Sequence, residues 1–420
     1  MYKRYLLDNG IQVVAENIPY VKSISLGLWF GVGSVYESSD KNGLSHFIEH
    51  MMFKGTNTRS SKQIAQEIDA IGGQLNAFTA KECTCYYCEI INDHLDIGIE
   101  LLSDMVLNSR FDPSDIQKEK SVILEEINMY EDSPEDLVYD LLSKTFFDSH
   151  PLGQPILGTE GNINSFDHSK ITEYYKLHYI PNNMVVSIAG NFDEAKLIDL
   201  LNKFFSKWPT AFCRHISYAQ PPIAKQTVFV QKDIEQLHLC IGMPTVNLAS
   251  EQLYALLIFN NLFGGGMSSR LFQKIREDNG LTYSIFSYPS NYTEAGLFTI
   301  YAGMNPSQSK KVVSLIADEI KHVKENGITQ SEFEMAKEQL KGNYILGLES
   351  TSNRMTAIGR SQILLGKITT PDEVLSKIDK VTMEDVLQII DYTLNPSSMI
   401  LALVGRHDVS KELQEVFYDR

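Results

Sequence analysis

Over residues 4 to 36 the apolar positions fall into short runs that read as strands. Asn9-Gly10 is a hairpin signal, because that pair accepts the positive φ a tight turn demands. IQVVAE follows, then SISLGLWFGVGSVYE, an apolar run of strand-forming residues. The period then changes. Leu44 through Phe53 predict a helix with Leu44, Ile48, Met51 and Met52 on one side. Ser60-Ser61-Lys62-Gln63 has the form of a capping box. Ile64, Ile68 and Ile71 form the stripe of the next helix, which Gly72-Gly73 ends. QLNAFTAKECTCYYCEII returns to one or two strands. Residues 94 to 109 predict a helix buried through Leu95, Ile99, Leu102 and Val106. Another helix runs from about Ser114 to Met129, and Asp132-Ser133-Pro134-Glu135 restarts one to about Phe147. HPLGQPILGT reads as a loop. A helix over 167–178, the strand NMVVSIAG and a helix over 193–207 complete this half.

The second half repeats the first. YIPNNMVVSIAGNFD and TLNPSSMILALVGRHD match at a shift of 215, pairing Pro181 with Pro396, Met184 with Met399 and Gly190 with Gly405. Near a shift of 210, the helix at 44–53 corresponds to LYALLIFNNLFGGG. The expected order there is strands to about 243, helices over 250–263 and 268–279, strands over 281–303, several helices to 391, a strand and a last helix. Residues 208–225, loosely ordered in pattern and Pro-containing, read as a linker. The expectation is an α+β chain of two homologous domains, 1–207 and 226–420, each a mainly antiparallel sheet packed with helices.

Composition narrows the function. The chain has 420 residues, 43% apolar, with a formal net charge of −16. That charge, with no Lys/Arg-rich run, argues against wrapping nucleic acid or docking on an anionic membrane. No apolar stretch is long enough for a membrane span, and the N-terminus lacks the pattern of a secretory signal. Five cysteines, an odd number, suit reduced thiols and a cytoplasmic location. In a strand, Cys83 and Cys85 point one way and Cys88 the other, which suits packing better than a metal site.

The chemistry concentrates in GLSHFIEHMMFKGT, residues 43–56. His46 and His50 stand four apart, and with Glu49 and Phe53 they share one helical side. Two imidazoles at that spacing either form a mere polar stripe or bind one metal ion, and zinc accepts nitrogen ligands with positions left open. The apolar remainder of the helix favours the metal, since three titratable groups there need compensation. His-x-x-Glu-His is a zinc protease signature, with the glutamate placed to take a proton from water. On the 114–129 helix, Glu119 and Glu126 fall amid the apolar cluster of Val122, Ile123, Met129 and Tyr130. An inward carboxylate needs a cation, either a buried Arg or Lys or a metal held by the histidines. With the histidine pair nearby, Glu126 is expected as third ligand and Glu119 as an outer carboxylate orienting a histidine. In the second repeat the corresponding positions are Leu256, Phe259 and Asn260, so only the first kept ligands. GGGMSSR (264–270) lacks the ending of a phosphate-binding loop.

Together, LDNGIQVV, GLSHFIEHMMFKGT, GGQLNAFTAKECTCYY, EKSVILEEI and SSRLFQKIREDNGLTYS resemble the insulinase/pitrilysin family of zinc peptidases. The similarity is to its short-chain branch, which includes mitochondrial processing peptidase subunits and bacterial relatives. The resemblance implies one zinc ion held by His46, His50 and Glu126, with Glu49 as general base and Glu119 in support. It implies that the strand around Asn76, Ala77 and Phe78 pairs with an extended substrate. It also implies that Arg276 and Tyr283, seven apart, complete the active site. Each chain would be half of a clamshell, in a homodimer lending this pair to its partner's zinc and enclosing peptides or short unfolded polypeptides. The expected activity is a zinc metalloendopeptidase. The alternative is a non-catalytic assembly subunit of the same fold, which would be expected to lose the ligand set.

Overall fold

In a computed structural model, the described residues are 2–211, 218, 221 and 227–418. Most of the expected linker lies outside them. The first half contains β1 (Tyr2–Leu6), β2 (Gln12–Asn17), β3 (Ser23–Phe30), α1 (Leu44–Met52), α2 (Ser61–Ala70), β4 (Gln74–Thr79), β5 (Thr84–Ile91), α3 (Leu95–Asn108) and α4 (Pro113–Asp132). It continues with α5 (Pro134–Phe146), α6 (Glu160–Ser165), α7 (His168–His178), β6 (Met184–Gly190) and α8 (Glu194–Phe205). The second half contains β7 (Val228–Gln231), β8 (Leu237–Thr245), α9 (Leu253–Phe263), β9 (Thr282–Asn291), β10 (Gly296–Met304), α10 (Ser309–Asn326) and α11 (Gln330–Gly347). It ends with α12 (Thr351–Leu365), α13 (Pro371–Lys380), α14 (Met383–Thr393), β11 (Ile400–Gly405) and α15 (Ser410–Tyr418).

The chain is α+β with two sheets, ordered β1-β2-β6-β3-β5-β4 and β7-β11-β8-β10-β9. Setting β1 aside, both sheets use their strands in the order first, fifth, second, fourth, third. Each has one parallel pair, β2 with β6 and β7 with β11, and is otherwise antiparallel. The repeat read at a shift of 215 is therefore a repeat of topology. Pro181 and Pro396 both open a short 3₁₀ turn before the equivalent strands β6 and β11, using the fixed φ of proline.

Local chemistry accounts for the elements. β1 and β2 form the hairpin signalled by Asn9-Gly10, with Gly10 at φ 96°. Ser60 caps α2 with its full box, Gln63 answering from the third position. Leu95, Ile99, Leu102 and Val106 are buried on α3 as expected. Cys85 and Cys88 face opposite sides of β5, in separate apolar clusters. The helix expected over 268–279 is instead a short π-helical turn, Phe272–Glu277.

The contiguous division at 208–225 differs from the observed one. One compact unit comprises residues up to Ile127, Pro155–Tyr218 and Ile345–Thr370; the other comprises Asn128–Gln154, Ala219–Tyr344 and Pro371–Arg420. Thus α12, encoded in the second half, covers the first sheet. There Ser25 meets Thr351 at 2.9 Å, Gln362 donates to Gln12 at 2.7 Å, and Arg354 pairs with Glu16. Met355 and Ile358 pack with Val14, Trp29, Cys85 and Val185. Conversely, α5 from the first half belongs to the second unit. The two helices sit at equivalent points of the repeat, so the exchange is reciprocal. Periodicity cannot reveal it, because it reports which face is buried and not against what.

Gly359 lets α12 lie close against the sheet. A Cβ there would stand 2.2 Å from Trp29 Nε1 and 2.7 Å from Ser187 Oγ, two atoms joined by a 2.7 Å hydrogen bond. Gly359→Ala gains about 1 kcal/mol of helix propensity. Overpacking costs roughly 1–3 kcal/mol, and breaking a buried hydrogen bond a similar amount. The variant is expected to lower the midpoint of denaturant unfolding, and an unchanged midpoint would refute this tight docking.

Candidate metal centre

The motif helix α1 starts at Gly43, with φ 101° and no side-chain cap. A Cβ at Gly43 would meet Leu157 O at 2.8 Å, so only glycine fits. Glu37 supplies the missing cap from the preceding loop. Its carboxylate accepts from Gly43 N at 2.7 Å and Ser45 N at 2.6 Å. An acidic group here also suits the positive end of the helix. Leu44, Phe47, Ile48, Met51 and Met52 are buried. That fixes the rotation of α1 and with it the directions of His46, Glu49 and His50.

Glu126 arrives from α4. Its Oε2 lies 3.7 Å from His46 Nε2 and 3.5 Å from His50 Nε2. One donor atom from each of the three lies within 4.8 Å of the other two, and they are the only such cluster among the described residues. In a tetrahedral site with bonds of about 2.1 Å, neighbouring donors stand about 3.4 Å apart. Two imidazole nitrogens and a carboxylate oxygen at these separations fit zinc in kind and in spacing.

Glu119 braces the pair. It is 3% exposed, and its Oε2 accepts from His50 Nδ1 at 3.1 Å. Its Oε1 pairs with Lys54 Nζ at 2.6 Å. Glu119 therefore contacts a histidine and a half-buried lysine at once. Lys54 lies just past the end of α1, four positions after His50, and carries no signal of this contact in the sequence. Burial pushes the His46 imidazole down to about 4, with the neighbouring His50 adding to the effect. Burial also works against charge on His50, but bonds to Glu119 and Glu126 outweigh it and raise it to about 9. Both ring nitrogens of His50 thus face carboxylates, Nδ1 toward Glu119 and Nε2 toward Glu126.

Glu49 points elsewhere, toward β4, where the Thr79 hydroxyl donates to it at 2.5 Å. Burial raises its carboxyl above the ordinary range, while the Thr79 bond works the other way. A half-buried carboxylate next to His50 in sequence, outside the donor cluster, is placed to accept a proton. Thr79 had no signal in the sequence, since only the fold sets β4 beside α1.

The inward face expected of α4 is corrected. Ile116, Glu119 and Ile123 are buried, but Val122 is 49% and Met129 71% exposed, and Tyr130 is exposed too. The core lies to one side of Glu119 on the helical wheel, and Val122 and Met129 lie on the other. The two glutamates therefore border the core, which leaves Glu126 half-exposed at an open site.

β4 is the edge strand of its sheet. The N–H of Ala77 is met by the Asn76 side chain at 2.8 Å. Asn76 is exposed and Ala77 half-buried, whereas Phe78 packs edge-on against Trp29 at 5.5 Å. In the other unit, Arg276 donates to the backbone carbonyl of Tyr283 at 2.9 Å. Its guanidinium lies 4.7 Å from the ring centres of both Phe272 and Tyr283, and the Tyr283 side chain is 77% exposed. At the repeat-equivalent metal positions, Leu256 and Phe259 are buried and Asn260 bonds Ser287 at 2.9 Å.

No helix among the described residues is long and apolar enough to cross a membrane. The family profile described as "Insulinase (Peptidase family M16)" matches residues 12–160, and "Peptidase M16 inactive domain" matches residues 165–340. An "uncharacterized zinc protease", YmxG, of Bacillus subtilis is 43% identical over 92% of this chain and 94% of its own. One from Streptomyces coelicolor with the same description is 40% identical over 91% of this chain and 85% of its own. The crystal structure of a protease from Helicobacter pylori matches with TM-score 0.88 at 22% identity, over 96% of this chain and 99% of that one. That of a peptidase M16 inactive domain from Pseudomonas fluorescens matches with TM-score 0.91 at 18% identity, over 97% and 98%. These two structures speak to fold alone. With relatives this similar along nearly its whole length, the chain belongs to the insulinase family of peptidases, peptidase family M16.

Proposed function

We propose that this chain is a zinc-dependent endopeptidase acting on peptides and short unfolded polypeptides. The observation that carries the reading is the convergence of His46, His50 and Glu126 donor atoms within 4.8 Å, beside a half-buried Glu49. His46, His50 and Glu126 hold one zinc ion, and Glu119 orients His50. The chemistry zinc supplies in such a set is Lewis acidity, which polarises a carbonyl and lowers the pKa of water to about 7. Glu49 takes a proton from the attacking water and passes it to the leaving amine as the peptide C–N bond breaks. The open edge of β4 at Asn76, Ala77 and Phe78 pairs with an extended substrate. Asn76 is exposed, its side chain yields the Ala77 N–H to the incoming carbonyl, and Phe78 serves through its backbone.

The test is a peptide mixture incubated with purified protein and read by mass spectrometry. Cleavage is expected, lost with chelator and restored by zinc. A zinc-loaded protein that cleaves nothing would favour the non-catalytic alternative.

Arg276 and Tyr283 act as a unit, hydrogen-bonding the developing oxyanion and the substrate backbone. In this reading they serve the zinc of a second copy in a homodimer. Mixing Glu49→Gln with Tyr283→Phe protein, each inactive alone, is expected to restore part of the activity after subunit exchange. A mixture that stays inactive would rule out sharing.

A further inference from the structure

A cavity of about 510 Å³ lies between α2 and the edge strand β4. Phe53, Ile64, Ala65, Ile68 and Leu75 supply its apolar lining, and Asp69 stands at it. Nothing in the catalytic chemistry uses it, yet two elements tie it to the metal centre. Phe53 closes α1 three positions after His50. Leu75 precedes Thr79 by four positions on β4, and Thr79 holds the base Glu49.

Strand geometry turns this into a register. Alternate residues of β4 share a face, so Leu75, Ala77 and Thr79 point to the same side. Four residues at about 3.3 Å each put Leu75 roughly 13 Å from Thr79. A peptide paired to the β4 edge advances at the same rate, and a residue opposite Leu75 turns its side chain to the Leu75 face. With the scissile bond beside Glu49, that residue lies about four positions away. We infer that this cavity is a distal specificity pocket for a bulky apolar side chain of the substrate, about four residues from the cleaved bond. Its volume falls within the range of built ligand sites, and its lining is the kind that accepts Leu, Met or Phe.

The inference rests on the peptidase reading, and its test separates the two. Ala65 is exposed on α2 and lines the cavity, so Ala65→Trp fills the space from a surface position and replaces no core residue, proposed metal ligand or Glu49. Cleavage sites produced by the wild type from a peptide library are expected to be enriched in bulky apolar residues at that distance on one side. For peptides with Leu or Phe there, Ala65→Trp is expected to lower kcat/KM about 10-fold or more. Peptides with Gly there should be cut at the wild-type rate. A wild-type profile flat at that position, or a preference that Ala65→Trp leaves intact, overturns the pocket while the peptidase reading stands. Absence of any cleavage by zinc-loaded wild type overturns both.

Discussion

Replacing Glu49 by Gln is expected to abolish peptide hydrolysis while zinc content stays at the wild-type level. Gln keeps the shape of the side chain and still accepts the hydrogen bond from Thr79. It cannot take a proton. A positioned base contributes on the order of 10²- to 10⁴-fold, so turnover should fall at least that far. Unfolding is not a competing explanation, because burial already disfavours the charged carboxylate of Glu49. The variant should be as stable as the wild type or slightly more so. The measurements are metal content by elemental analysis, thermal midpoint, and turnover of a quenched peptide. Near-normal turnover would remove Glu49 from the base role.

The second large effect is expected at Glu126. Among the described residues, its Oε2 is the one acidic atom within 4 Å of both imidazoles. Glu126→Gln replaces an anionic ligand by a weak neutral one, and zinc should be lost together with activity. Glu125→Gln is the control, since that neighbour falls outside the donor cluster. It should keep both zinc and turnover. Glu119→Gln should fall between, with zinc affinity reduced about 10- to 100-fold, as for other partners of metal-bound histidines. Chelator competition ranks the three. The reverse ranking of Glu125 and Glu126 would move the ligand by one position.

Much of this arrangement is readable from local pattern. The Asn9-Gly10 turn, the Ser60 capping box and the α3 stripe are each determined by a few neighbouring residues. His46, Glu49 and His50 were legible because one helix carries all three. Glu126 was legible because a carboxylate near a core invites the question of its cation. What stayed hidden depends on partners far along the chain. Thr79 reaches Glu49 only through the placement of β4. The exposure of Val122 and Met129 depends on the core lying to one side of α4. The π-helical turn at 272–277 has the composition of an ordinary helix, and its geometry comes from its surroundings.

The reciprocal placement of α5 and α12 bears on how the two repeats can be separated. A fragment ending before the linker would keep a first sheet whose Val14, Trp29 and Val185 had lost their cover, and would carry α5 with nowhere to lie. The complementary fragment would have the mirror fault. Although the chain reads as a duplication, its halves are not modules that can be cut apart and recombined; each repeat is the other's missing piece.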